Sequence, residues 1–578
     1  MLRFAPSPTG DMHIGNLRAA ILNFIIAKQR GEKFLIRIED TDKARNIDGA
    51  DKEILAILNL FGLFWDKLVY QSDNFKIHND LAKQLIDKGQ AFYCYATKEF
   101  LDKKREEALA QKRAFRYDDS WAEICKNENP NPAIRLKGDL GAESISFIDE
   151  IKGECKFSQN EIDSFVIVRD DKIPTYNFAC AVDDMIYDIS FIIRGEDHTS
   201  NTPKQMLVHK KLGYTKEIKY AHLPIILNDC GKKMSKRESE SSVKWLLESG
   251  FLPRAILNYL LLMGNNPPCE IFTLDEAIEW FDLSQLSKSP VRFDMDLLRH
   301  INREHLKKLS ESEMGLLIES SSAILADIAQ NSSLGAPCGD FENLGRFADA
   351  PVQSHAPNSQ KTPQLPPQIL ELDSNKNDST DSSKSTPFRH TERSEVSKSH
   401  ESKTNSESMT QKRIGESCKF TQSQQIANDS KVTKMDSSLS AKAQNDESKV
   451  DFANALGALG KIFLEESSTL NEIRAKIERI FAPKVLSDDF RVYGAEIAIL
   501  KSTLLDLIEQ GDECLNDFNA LKAKLGESCK VDDKPLKGKG LFMPLRFLLT
   551  GAGNGPHLDI LYPHLRAHLK IILRFRED

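Results

Sequence analysis

The chain has 578 residues, a net charge of −8 and a charged fraction of 28%, a length that calls for several domains because single cores seldom grow past a few hundred residues. Ten cysteines spread over that length form no dense framework, which excludes a disulfide scaffold and makes a reducing cytoplasm the expected home. No apolar run follows a basic start or approaches the width of a bilayer, so neither a signal peptide nor a membrane protein is expected; the acidic total leaves nucleic-acid binding open, since a local basic face decides that.

Residues 1–92 read as the first half of a nucleotide-binding α/β domain. Leu2 to Ala5 form a short apolar strand, two prolines and a Thr-Gly turn follow, and Leu17, Ile21, Phe24 and Ile25 predict a helix near 15–30. A strand at Phe34–Ile38 completes a β-α-β unit whose apolar strands are parallel and buried. Further helices are expected after Asp48-Gly49 and near 74–88. A helix that starts directly after a turn makes an anion site, because free N–H groups and the positive end of the dipole face the turn. Gly15 admits close approach of a ligand, and His13 adds a donor beside it. Alone, a His-x-Gly after a strand is more often plain turn chemistry.

Residues 93–187 interrupt that fold with a charge-rich helix at 98–113 and strands at 133–137 and 145–149, read as an inserted α/β domain. The nucleotide fold resumes over 188–245. A buried strand from Ile189 to Ile193 ends at Arg194-Gly195-Glu196-Asp197-His198, and a helix begins near Thr202 with Pro203 in its first turn. A strand at 223–227 then leads to Lys232-Lys233-Met234-Ser235-Lys236-Arg237. Lysines and a hydroxyl in one turn are suited to clamp a triphosphate, although a basic loop alone is as often merely solvated. Residues 246–334 carry helical periodicity. Between Phe347 and Phe452 the only aromatics are Phe388 and Phe420, too little apolar surface to offset ordering entropy, so 335–448 is expected to be a disordered insertion. Residues 449–578 are helical again, with Phe452, Leu456, Leu459 and Phe463 on one face and a basic tone from Arg546, Arg566, Lys570 and Arg574.

The strings RFAPSPTG (3–10), HIGN (13–16), FLIRIEDTD (34–42), TYNFA (175–179), IRGEDHTSNTPKQ (193–205), AHLPIIL (221–227) and KKMSKR (232–237) together resemble the bacterial glutamyl-tRNA synthetases, a family of class I aminoacyl-tRNA synthetases. The resemblance is nearly continuous to about residue 310, with a shorter echo from Pro544 to Pro556. It implies a split, doubly wound (Rossmann-like) α/β catalytic domain with an inserted connective domain at 93–187 that holds the tRNA acceptor end. A helical bridging domain at 246–334 and a helical anticodon-binding domain at 449–578 would follow, the latter after the insertion.

The implied reaction is ATP-dependent ligation of L-glutamate to the 3′ end of tRNA through a glutamyl-adenylate. His13, Lys233 and Lys236 are implied as catalytic, with Gly15, Asn16, Met234, Ser235 and Lys236 around ATP. Arg3, Ser7, Glu39, Tyr176, Cys180 and Arg194 would form the glutamate pocket. Two arginines suit two carboxylates and an acid suits the ammonium. Asn16 stands where the family motif often ends in Gly, Ser or His, and Cys180 where several relatives carry an amide. Magnesium is expected to arrive with ATP, held mainly by phosphates. Many relatives carry a zinc knuckle in the inserted domain. Here Cys94 is followed by Tyr95 and Ala96, and Trp121 replaces a ligand near Cys125, so no zinc is expected. The expected partners are tRNA(Glu) or tRNA(Gln), and a monomer is expected. Second readings are a copy dedicated to tRNA(Gln), a relative that transfers glutamate to a modified tRNA base, and a non-catalytic RNA-binding protein.

Overall fold

The computed structural model describes residues 1–138, 144–158, 162–235, 238–320, 447–481 and 492–575. Lys236 and all but the last two residues of the predicted insertion at 335–448 lie outside these residues.

The N-terminal part of the chain is built on a seven-stranded sheet. In chain order its strands are β1 (Leu2–Phe4), β2 (Phe34–Ile38), β3 (Lys67–Tyr70), β6 (Ile145–Asp149), β7 (Gly153–Phe157), β9 (Phe191–Gly195) and β10 (Lys219–Leu223). They lie in the spatial order β3-β2-β1-β9-β10-β6-β7. All neighbours run parallel except the β6–β7 hairpin. A second, antiparallel sheet joins β4 (Ala91–Cys94), β5 (Ala133–Leu136) and β8 (Phe165–Val168).

Strand periodicity divides the large sheet into two faces. Leu2, Phe4, Phe34, Ile36, Ile38, Phe191, Ile193, Ala221 and Leu223 enter one core together with α1 (Ile14–Arg30). Leu35, Ile192 and Tyr220 enter the other, and Arg3, Arg37, Arg194 and His222, alternating with the first set, are buried as well. The helix α1 links β1 to β2 on the first face. The link from β9 to β10 is α6 (Thr202–Leu212), which packs against α5 (Tyr176–Ile186) on the second. The crossovers leave β1 and β9 on opposite sides, so a crevice opens at their C-terminal ends, where such sheets bind ligands.

Two sequence expectations need correction. The strand expected at 223–227 is two: β10 ends at Leu223, and β11 (Ile226–Leu227) pairs instead with β12 (Val291–Arg292). Pro224, with no N–H to donate, stands at the break. The helix expected at 98–113 is α4 (Lys98–Ala110). In addition, β6 and β7, read within the inserted segment, extend the edge of the catalytic sheet through Asp149 opposite Tyr220.

The C-terminal half is helical and shares one apolar core with the bridging helices, from Leu252 and Ile301 through Phe452, Ile477 and Leu545 to Leu573. Within it α11 (Glu311–Ser320) and α12 (Glu447–Phe463) touch backbone to backbone. A Cβ at Gly315 would overlap the Ala453 carbonyl, and one at Gly457 the Glu311 carbonyl. That pairing runs antiparallel, so Ser320 and Glu447 share one end of the helix pair. Gly457→Ala is expected to destabilise the protein by about 1–3 kcal/mol through overpacking. Gly494→Ala, in open space at the start of a helix, should be near neutral. Equal melting temperatures for the two variants would rule out the close helix contact.

Candidate active site

The crevice above β1 and β9 is a cavity of about 630 Å³. Of the residues expected from the sequence, Arg3, Ser7, His13, Gly15, Asn16, Glu39, Tyr176, Arg194, Lys233 and Met234 line it together. Six cations (Arg3, Arg18, Arg45, Arg169, Arg194 and Lys233) face three carboxylates (Glu39, Asp42 and Asp197) across it. That excess suits a polyanion. Cys180 is wholly buried and does not line the cavity; it lies behind Glu39. Ser235 follows Met234 but is not among the lining residues.

One end of the cavity is built by the start of α1. His13 is its N-cap, and its Nδ1 accepts the Gly15 N–H at 2.9 Å. In the neutral ring this leaves the proton on Nε2. The cap role and a place on the cavity wall thus coincide in one side chain. Asn16 and Leu17 donate back to the His13 carbonyl, and no acidic residue occupies the first turn to compete for an anion. The lysine loop faces it. Asn228 N–H donates to the Lys232 carbonyl, Gly231 takes φ +72° in the turn, and Met234 N–H returns to Ile226. This tight hairpin buries Met234 against the main core and presents Lys233, 3.2 Å from Asp197.

Burial raises the Asp197 carboxyl, but His198 and Lys233 outweigh it and hold the group below the usual range. His198 Nδ1 lies 3.1 Å from the Tyr176 hydroxyl and 3.2 Å from Asn201 Nδ2. Burial and the nearby Arg194 push His198 down to about 4, so at neutral pH the ring is uncharged.

Beneath the cavity floor lies a layer of buried charge. Helical spacing puts Tyr176, Cys180, Asp183 and Asp184 on one face of α5, and period two puts Arg37 and Glu39 on one face of the β2 strand and its extension. Arg3 lies within β1, 3% exposed, with Nε 3.2 Å from Asp184. Arg37 reaches the same carboxylate at 2.6 Å and Glu39 at 3.4 Å. Asp183 accepts from Gln71 and Asn74 and contacts His78, all within 2.9 Å. Burial raises Asp184, yet Arg3 and Arg37 hold it well below the ordinary range. Burial pushes Glu39 up, opposed by Arg37 and by the Cys180 thiol, which donates to it at 2.9 Å. Burial also pushes the thiol well up, keeping it a neutral donor.

Arg194 is fixed differently. Its Nε–H points to His222 Nε2 at 3.3 Å, Nη1 donates to Gln205 at 2.9 Å and Nη2 to Thr202 at 2.7 Å. Arg18, which the sequence reading passed over, also lines the cavity. It is buried and donates to the Met263 carbonyl, and burial lowers it to about 10.

In the antiparallel sheet, Cys94 is buried with its sulfur 2.9 Å from the Tyr117 hydroxyl. Trp121 packs edge-on to Tyr117 and Phe100, and the Arg135 guanidinium lies 3.6 Å from the Tyr117 ring centre. Among the described residues no group of three or more His, Cys, Asp and Glu side chains could hold a metal ion, and no helix is long and apolar enough to cross a membrane.

Comparison with known proteins adds to this geometry. Residues 1–300 match the family described as tRNA synthetases class I (E and Q), catalytic domain. The chain is 45% identical over 577 residues to "Glutamate--tRNA ligase 2" of Wolinella succinogenes, covering all of both chains. It is 60% identical over 586 residues to the protein of that name from Helicobacter pylori strain Shi470, again covering both. A protein named "GlutamylGlutaminyl-tRNA synthetase" from Helicobacter pylori strain 26695 is 41% identical over the full length of both. Among solved structures, a glutamate tRNA ligase from Elizabethkingia meningosepticum shares the fold with a TM-score of 0.62 at 21% identity, over 99% of this chain and 98% of that one.

Proposed function

This chain belongs to the class I tRNA synthetases of the E and Q type and joins glutamate to tRNA with ATP, and we propose that the cavity at the ends of β1 and β9 is where both substrates meet. The observation that carries this reading is the convergence on one cavity of the α1 N-terminus, Lys233, Arg3, Arg194 and Glu39.

On this reading Arg3 and Arg194 each take one carboxylate of glutamate, since a guanidinium forms planar paired hydrogen bonds with a carboxylate. Glu39 and Ser7 take the ammonium, and Tyr176 closes one wall. In the buried layer Glu39 stands beside Arg37 and the Cys180 thiol, and its carboxylate is the group on this wall that suits a substrate ammonium. His13 Nε2–H, Lys233 and Lys236 hold the ATP phosphates at the positive end of the α1 dipole, Gly15 and Asn16 border the nucleotide, and Met234 and Ser235 shape the loop. Magnesium comes with ATP and neutralises phosphate charge.

The glutamate α-carboxylate attacks the α-phosphorus and pyrophosphate leaves; a terminal adenosine hydroxyl of tRNA then attacks the acyl carbon of the mixed anhydride, loses its proton, and the acyl–phosphate bond breaks to release AMP. No side chain forms a covalent bond. Orientation and charge stabilisation supply the rate.

The helical region 449–578 reads as the anticodon-binding part and 93–187 as the grip on the acceptor end. Full-length coverage of the relatives weighs against a truncated enzyme that modifies a base. A second reading, charging of tRNA(Gln) with glutamate, is favoured by the combined name of one full-length relative. Glutamate acceptance by purified tRNA(Glu) and tRNA(Gln), measured side by side, decides between them. Acceptance by at least one is expected, and by neither would overturn the proposal.

A further inference from the structure

Arg194 spends three of its five N–H groups inside the protein, on His222, Gln205 and Thr202. One N–H remains on each terminal nitrogen, and Arg194 lines the cavity. What fixes the fork is therefore the set of acceptors behind it. Two of them, Thr202 and Gln205, come from the first turn of α6. The third is His222, wholly buried on β10.

A histidine accepts at a ring nitrogen only if that nitrogen carries no proton. At His222 the other nitrogen settles the matter. Nδ1 lies 2.6 Å from Asp149 Oδ2. Asp149 also receives the N–H groups of Ile151, Lys152 and His222 at 2.9, 2.7 and 2.9 Å. A buried carboxylate with so many N–H partners stays charged and keeps the proton on Nδ1. Nε2 is then bare. It faces Arg194 Nε–H at 3.3 Å and the Thr202 hydroxyl at 3.1 Å, and that hydroxyl in turn accepts from Arg194 Nη2. The hydrogen bonds run in one consistent direction from Arg194 to Asp149.

We propose that His222 is a positioning residue for Arg194, that its bare Nε2 sets the angle of the guanidinium, and that Asp149 fixes the tautomer that makes this possible. The consequence reaches past the crevice. Asp149 ends β6, two strands away from β9. From the same hairpin turn Lys152 pairs with Glu196, whose carboxylate also receives the Ile225 N–H. The β6–β7 hairpin thus touches both supports of Arg194, His222 on β10 through Asp149 and the loop after β9 through Lys152 and Glu196, and the setting of the substrate carboxylate clamp is tied to it.

The inference rests on the reading that Arg194 binds a glutamate carboxylate. Its test compares wild type, His222→Leu, His222→Gln and Arg194→Ala as full-length enzymes, with KM for glutamate and for ATP measured separately in aminoacylation. His222→Leu is expected to raise the glutamate KM by about tenfold or more and leave the ATP KM within twofold. The glutamine oxygen stands near the place of Nε2, so His222→Gln should recover more than half of that loss on a logarithmic scale. An unchanged glutamate KM, a parallel rise for ATP, or equal defects in the two variants would overturn the proposal.

A measurement on the wild type covers the case of a variant that does not fold. In histidine-labelled protein the ¹⁵N shifts of His222 should show a protonated Nδ1 and a bare Nε2 at neutral pH. The opposite tautomer or a doubly protonated ring would overturn the proposal. If Arg194→Ala leaves glutamate use unchanged, the pocket reading itself fails. If Arg194→Ala is impaired and His222→Leu is not, only the present inference fails.

Discussion

Replacing Arg194 by alanine is expected to cut kcat/KM for glutamate by roughly 30- to 4,000-fold, the equivalent of about 2–5 kcal/mol for removing one partner of a buried, hydrogen-bonded charge pair. The side chain is 6% exposed and is held by Gln205, Thr202 and His222 before any substrate arrives. Its ordering is completed on folding, so little of the binding energy goes into it. Truncation removes the cation and leaves a polar hollow that water fills but does not charge. Arg194→Lys should fall between, because an ammonium keeps the charge and loses the planar fork. ATP–pyrophosphate exchange with tRNA present, as a function of glutamate and then of ATP, reads the effect. The defect should lie in the glutamate titration. A glutamate dependence equal to wild type would remove Arg194 from the pocket.

What the sequence made legible follows from the range of the interactions. The β1–α1–β2 unit rests on local periodicity, and its expected bounds agree with Leu2–Phe4, Ile14–Arg30 and Phe34–Ile38 to within a residue. The lysine loop is equally local: its position after a strand was legible, whereas the turn that closes it through Asn228, Gly231 and Lys232 appears only in the structure. By contrast the Asp149–His222 pair spans 73 positions, and the Arg37–Asp184 pair 147. Neither leaves a spacing to read. A partial signal existed for the second pair. Arg37 stands two positions before Glu39, and Asp184 falls at the second helical return after Tyr176, so both share faces with expected pocket residues. The strand expected at 145–149 within the inserted domain joins the large sheet instead, for a related reason. Strand propensity marks a strand without naming the sheet it joins, and pairing with β10 is decided by tertiary contact.

The same buried layer carries the second large effect. Asp184→Asn is expected to cost about 3–5 kcal/mol of stability, as when one member of a buried ion pair is removed and the other stays charged. Asp184 is the carboxylate shared by Arg3 and Arg37, and all three are almost completely buried. An amide supplies one acceptor where two guanidiniums had two, and its N–H₂ faces further donors. The change should also loosen Arg3 and raise the glutamate KM, a readout that pure destabilisation would not move in the folded fraction.

The pH dependence has a definite sign. Asp184 is held below its ordinary 3.8 in the folded protein. Its contribution is therefore fully present above that value and is lost as pH falls through the lower folded one. Asp184→Asn lacks this titration, so its stability deficit should shrink as the wild type is acidified below 3.8. Urea unfolding at neutral pH and at two acid pH values tests both parts. If the variant unfolds at the wild-type urea concentration at neutral pH, Asp184 does not hold the two arginines, and the floor of the cavity is maintained by something else.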